Sequence, residues 1–141
     1  RAANHTGPGQ NTDFVVPAFT QQIAAIAAGD NNPIHVGNLD SERSFMDVRD
    51  VVRAYRLLIE SGHPGKAYNV SAPDRVPIRR ILETLADIAG VSLRIDVDPA
   101  KFRATDRTPV LDTALIRQDT GWHQQFELRD TLREMLHAAR P

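Results

Sequence analysis

Cysteine is absent from this 141-residue chain, which excludes disulfides, thiolate metal ligands and thiol nucleophiles and leaves the redox compartment unread, with a weak lean toward the cytoplasm. No stretch approaches the roughly 20 apolar residues of a membrane span, and the first residues lack the charged-then-apolar order of a signal peptide. A soluble, cytoplasmic protein with no membrane partner is therefore expected. Basic blocks are missing too: the formal net charge is −1 with Lys and Arg scattered, so no nucleic-acid partner is expected. Repeats and low-complexity tracts are absent.

Several enzyme signatures are also missing. A dinucleotide loop needs glycines at a strand-to-helix turn so that the backbone can approach a pyrophosphate, whereas Gly7-Pro8-Gly9 places a proline between its glycines and has no third. A short-chain reductase needs a tyrosine with a lysine four residues on, to lower the phenol pKa and hold the ribose. Tyr55 is followed at that distance by Ile59, and Tyr68 by Ala72. The histidines His5, His35, His63, His123 and His137 show no metal-ligand spacing, and no Gly-x-Ser-x-Gly elbow exists. The chain alone is expected to carry no catalytic, cofactor-binding or metal-binding residue.

What is present is an ordinary globular composition, 41% hydrophobic and 25% charged, which suits one domain. The sequence opens on Arg1 rather than Met and enters a dense polar motif, Asn4 to Gln10, as if joined partway. A trimmed or processed chain is the alternative. After a Gly/Pro loop, Asp13 can cap a helix carrying Phe14, Val15, Phe19, Ile23 and Ile26 at helical period, with Pro17 in its first turn and an end near Gly29. Strands are expected at Ile34 to Gly37 and Ser44 to Met46. Asp47 then caps a second helix in which Val48, Val51, Val52, Tyr55, Leu58 and Ile59 form one apolar stripe, stopped by Gly62, Pro64 and Gly65. Ala67 to Ser71 reads as a strand. Pro77 opens a third helix with Ile78, Ile81, Leu82, Leu85 and Ile88 inward and Gly90 at its end. Val91 to Val97 alternates as a strand. A long connection through Arg103 and Asp106 leads to a short helix over about Thr113 to Asp119, and a last helix carries Leu128, Leu132, Met135 and Leu136.

The expected fold class is α/β and helix-rich, with a few short strands. Four or so strands offer too little sheet for five helices, so unpaired edges are expected to meet another segment.

Two arginines could bind an anion: Arg43 at the head of a strand, and Arg103 in the long loop three residues before Asp106. Two guanidinium groups converging on a diphosphate would make bidentate, permanently charged contacts. The ordinary alternative for each is a solvated surface arginine, and for Asn4 a local turn cap.

The runs Arg1 to Gln10, Asp13-Phe14-Val15-Val16-Pro17, Val36-Gly37-Asn38-Leu39-Asp40 and Arg43 to Val51 resemble the extended short-chain dehydrogenases acting on nucleotide sugars, the NAD-dependent epimerase/dehydratase family. Tyr68-Asn69-Val70, Arg103 with Asp106, Asp112 and Thr120-Gly121-Trp122 follow in the family's order, so the likeness covers essentially the whole chain. Within the group the chain is most similar to the GDP-4-keto-6-deoxy-mannose reductases. Ala18 stands where dehydratase relatives tend to carry lysine, and Gly7 to Gln10 is less basic than their loop. Ala3 and Ser44 depart from the family's usual aromatic and acidic residues.

The resemblance implies the C-terminal, substrate-binding half of an extended Rossmann-type enzyme over residues 1–141, including the last elements that would complete the Rossmann domain. It implies that Asn4, just beyond a strand of the cofactor domain, reaches the sugar-phosphate, that the Val15 amide meets the nucleotide at a helix entry, and that Arg43 and Arg103 clamp the diphosphate. Asp106 would accept from ribose hydroxyls, and Trp122 would be packing. The expected ligand is a GDP-sugar and the expected cofactor NADP or NAD, held mainly by residues upstream of this sequence. The complete protein is expected to be a homodimer. The alternatives are a GDP-mannose 4,6-dehydratase, another nucleotide-sugar epimerase, or a stand-alone binding domain without catalysis.

Overall fold

The computed structural model describes residues 1–102 and 109–139. In chain order the elements are β1 (Asn4–Thr6), α1 (Val15–Ala27), β2 (Ile34–Val36), β3 (Glu42–Arg43), β4 (Phe45–Asp47), α2 (Val48–Ser61), β5 (Val76–Pro77), α3 (Ile78–Ala89) and β6 (Ile95–Val97). A 3-10 turn (Pro99–Lys101), α4 (Ala114–Thr120) and α5 (Leu128–Ala138) complete them. The fold is thus helix-rich α/β. Among the described residues no helix is long and apolar enough to cross a membrane.

Among the described residues three small pairings replace a continuous sheet: β1 with β4 in parallel, β2 with β6 in parallel, and β3 with β5 antiparallel. The segment expected as a strand over Ala67 to Ser71 makes only one parallel bridge, Val70 to Ala2. In it the Ala3 N–H donates to Val70 O at 2.8 Å and the Val70 N–H to Arg1 O at 2.9 Å.

Because successive side chains of a strand point to opposite faces, β4 separates two cores. Phe45 joins a cluster built from α1, α3 and α5 with Ile34 and Val36 of β2. Met46, its neighbour, joins the other cluster, formed by Val51 and Ala54 of α2 with Tyr68, Val70, Ile116 and Trp122. Trp122 is 2% exposed, and its indole Nε1 donates to the Asp50 carbonyl at 3.0 Å, so it packs as expected. In the first cluster the i, i+3, i+4, i+7 set of α3 is buried at Ile78, Ile81, Leu82 and Leu85, and Gly90 ends the helix with φ of 70°, a conformation costly for other residues. Leu85 is fully buried. Its truncation to Ala is expected to cost about 2–5 kcal/mol, read as a lower midpoint in urea unfolding.

Several local expectations are corrected. Asp13 does not cap α1. The helix begins two residues later, Phe14 holds the cap position without a side-chain bond, and Asp13 is held by Asn11, whose Nδ2 donates to its carboxylate at 2.7 Å and whose Oδ1 accepts its N–H at 3.2 Å. The strand read as Ser44 to Met46 lies one residue later, so that Asp47 ends β4 and caps α2, accepting the Arg49 N–H at 2.8 Å. The single apolar stripe of α2 is split. Its buried face is Asp50, Val51 and Ala54, whereas Val52, Tyr55 and Ile59 are exposed, Ile59 to 87%, because the second cluster packs against one flank only. Val91 to Val97 shortens to β6, whose three residues are all exposed.

The N-terminal turns of α2 fasten the chain's last third. Asp47, 1% exposed, accepts from Arg49 Nε and Nη2 at 2.8 and 2.7 Å and from the Thr131 hydroxyl of α5 at 2.8 Å. Asp50, fully buried, accepts the backbone N–H groups of Gln125 and Phe126 at 3.0 Å each and Arg53 Nη2 at 2.8 Å.

Candidate functional site

A cleft of about 960 Å³ opens where the end of β1, the N-terminus of α1, the β2–β3 connection and the 3-10 turn meet. Its construction follows from three local features. Gly7 permits close approach of the β1–α1 loop to α2, since a Cβ there would lie 2.8 Å from Val48 Cγ1. Gly9 turns the chain with φ of 85°, and the Gln10 N–H closes the turn on Gly7 O at 3.3 Å. The α1 terminus then faces the cleft with no side-chain cap and no acidic residue in its first turn. The first helical N–H groups have no partner within the helix. Ala18 donates to Phe14 O at 3.0 Å and Pro17 has no N–H, so the donors of this terminus are Val15 and Val16, both in the cleft wall.

Of the five residues singled out for binding, Asn4, Val15 and Arg43 all line this cleft. Asn4 lies within β1, where pairing with Phe45 extends regular structure to Thr6. Asn4 is exposed and Arg43 half-buried. The Arg43 Nη1 donates to Glu42 O at 2.8 Å. Arg103 and Asp106 lie outside the described residues. The flanking Lys101, Pro109 and Leu111 all reach the cleft.

Lys101 and His35 were not singled out from sequence. Lys101 enters the wall through the β2–β6 pairing, which joins residues 61 positions apart in sequence, such as His35 and Asp96. Among the described residues, and apart from histidines, the charged groups in the wall are Arg43, Lys101 and Asp13, and the two cations with the helix terminus suit an anionic ligand.

Ser44 and Phe45 follow Arg43 into the cleft wall, whereas the rest of the run, from Met46 to Val51, does not line it: Asp47 and Asp50 serve the junctions of α2. Neither tyrosine lines it. The Tyr68 hydroxyl donates to Asp119 at 2.8 Å and accepts the His63 N–H at 2.9 Å. This Tyr68 bond, aided by Lys66 at 3.2 Å, holds the Asp119 carboxyl below its ordinary value. Gly7 and Gly9 serve close packing and a turn, so the Gly7-Pro8-Gly9 loop is not built as a dinucleotide pyrophosphate cradle.

Relatives of known activity share this architecture. The chain is 39% identical to GDP-6-deoxy-D-mannose reductase of Pseudomonas aeruginosa, over 96% of its own length and 45% of that protein. It is 26% identical to a GDP-mannose 4,6-dehydratase of Sinorhizobium fredii, over 94% of its own length and 43% of that protein. It superposes on the structure of RMD from Pseudomonas aeruginosa complexed with NADPH with a TM-score of 0.92 and 38% identity, covering 99% of this chain and 46% of that one. The fold is that of the C-terminal portion of Rossmann-type short-chain dehydrogenases, and the chain spans less than half the length of the curated relatives it matches. The model of the GDP-mannose 4,6 dehydratase family matches residues 1–135, and the chain belongs to that family of nucleotide-sugar enzymes.

Proposed function

We propose that residues 1–141 are the substrate-binding half of an NAD(P)-dependent reductase that converts GDP-4-keto-6-deoxy-mannose to a GDP-6-deoxy-mannose of the GDP-rhamnose type. The observation that carries this reading is the convergence of Asn4, Val15 and Arg43 on one cleft, in a chain 39% identical to a reductase of that substrate class. Arg43 pairs with the diphosphate, the Val15 amide donates to an acceptor on the nucleotide, and Asn4 orients the sugar-phosphate. Arg103 and Asp106 complete the site as the second arm of the clamp and the ribose acceptor. Binding energy gathered on the diphosphate, remote from the reacting carbon, holds that carbon in place and lowers the entropic part of the barrier. A nicotinamide, NADPH or NADH, supplies hydride when bound.

The test is to express the complete coding sequence that contains this chain and to follow NADPH or NADH oxidation with GDP-4-keto-6-deoxy-mannose. Stoichiometric formation of the reduced GDP-sugar is expected. Binding of UDP-sugars with indifference to GDP-sugars overturns the reading. A second reading, dehydration of GDP-mannose, has the Sinorhizobium fredii relative in its favour, and product analysis showing loss of water without net cofactor oxidation establishes it instead. In the same assay Arg43→Ala is expected to raise KM about ten- to a hundredfold, because a charge-assisted hydrogen bond is worth about 1.5–3 kcal/mol.

A further inference from the structure

The cleft wall contributed by the 3-10 turn is weakly held by burial. Of the strand that leads into it, Ile95 is 45% and Val97 49% exposed, so beside the exposed His35–Asp96 and Lys101–Asp98 side-chain pairs its position rests on contacts of the backbone. One is the β2–β6 ladder, which runs a residue past β6 where the Asp98 N–H donates to Val36 O at 2.8 Å. Asp98 then shapes the turn: its carboxylate accepts the Ala100 N–H at 2.9 Å and its carbonyl accepts the Lys101 N–H at 3.0 Å. The other contact is Gly37, directly after β2. A Cβ on Gly37 would lie 2.4 Å from Lys101 O, 3.0 Å from its carbonyl carbon and 3.3 Å from its Cβ. Gly37 is not among the glycines with positive φ, so glycine is required there for space and not for conformation.

We propose that Gly37 is a positioning residue for nucleotide binding: its missing side chain lets the turn after β6 seat directly on the β2–β3 connection, which sets Ala100 and Lys101 into the cleft wall. This rests on the nucleotide-binding reading given above. The neighbour that a Cβ would meet is backbone, which has no rotamer by which to yield. A methyl group at position 37 therefore displaces the turn, and Lys101 with it, while β1 and α1 on the opposite side of the cleft keep their places. The consequence is loss of ligand affinity with little change in the chemical step, the pattern expected when uniform binding is removed.

The experiment uses the complete protein, with GDP as the calorimetric probe and the reductase assay beside it. Gly37→Ala is expected to weaken GDP binding and raise KM by about tenfold with kcat within about twofold. Asp98→Ala, which releases the same turn without adding a Cβ, is expected to shift both in the same direction, and it decides alone if Gly37→Ala does not fold. GDP binding by the unmodified protein with unchanged affinity in the folded variants, even if their melting temperatures fall, overturns the proposal and leaves the functional reading standing. Failure of the unmodified protein to bind GDP overturns both.

Discussion

Replacing Asp50 with alanine is expected to remove about 3–5 kcal/mol of stability and to lower the melting temperature by on the order of 10 °C. The carboxylate is fully buried, and its acceptors satisfy two consecutive backbone N–H groups, of Gln125 and Phe126, in the connection between α4 and α5. Truncation leaves both donors without that acceptor. It also strands Arg53, whose side chain is only 18% exposed, which bonds the His123 carbonyl and whose Nε has no partner among the described residues. A buried charge that loses its counter-charge costs more than the pair contributed. Asp50→Asn keeps one acceptor oxygen but sets an NH2 against donors, and is expected to recover only part of the loss. Arg56→Ala is the control: that guanidinium lies 3.9 Å from Glu60 at the surface and is expected to matter by less than about 1 kcal/mol. A melting temperature for Asp50→Ala equal to that of the control would show that the Gln125–Phe126 connection is fastened by other contacts.

These junctions explain which parts of the molecule could be read from its sequence. The apolar spacing of α3 with Gly90 behind it, and Asp47 as the cap of α2, are local patterns whose causes lie within a few residues, and both appear as expected. β1, β3 and β5 have two or three residues each, too short to show a period, and exist only because a partner lies alongside. Asp13 is a good cap residue, but its bonds to Asn11 engage it and α1 begins two residues later, a competition between neighbours that spacing does not show. The exposed flank of α2 at Val52, Tyr55 and Ile59 has the same spacing as its buried flank, and spacing alone does not say which is covered. For the site, likeness to a family named Asn4, Val15 and Arg43, and nothing local brings positions 4, 15 and 43 together on one cleft; their roles there are proposals. Lys101 carried no signal at all, because its place in the wall depends on a parallel pairing between distant strands. Arg103 and Asp106 fall outside the described residues, and their roles are proposals like those of the other three.

Asp47 offers the second large effect, in a form that pH can isolate. Burial opposes ionisation of its carboxyl, but hydrogen bonds from the Arg49 side chain, the Arg49 backbone and the Thr131 hydroxyl outweigh that penalty and hold the carboxyl below its ordinary value. Arg49 is correspondingly raised, chiefly by its bond to Asp47, and it continues to Glu134 at 2.9 Å and stacks 3.9 Å from the centre of the Phe126 ring. A carboxyl whose folded pKa is depressed contributes stability that is fully present above its unfolded value, about 4, and is lost as pH falls through the folded value. Asp47→Asn is therefore expected to destabilise by about 1–3 kcal/mol at neutral pH, and the gap from the unmodified protein is expected to close below about pH 4 as the native carboxyl takes up its proton. Asp119 is depressed too and steepens the acid limb of both proteins, so the informative quantity is the difference between their melting temperatures at pH 7, 5, 4 and 3. A difference that stays constant across that range would assign Asp47 a role in shape alone. A difference that narrows in acid identifies its charge as what ties α5 to the start of α2, beside the strand that separates the two cores.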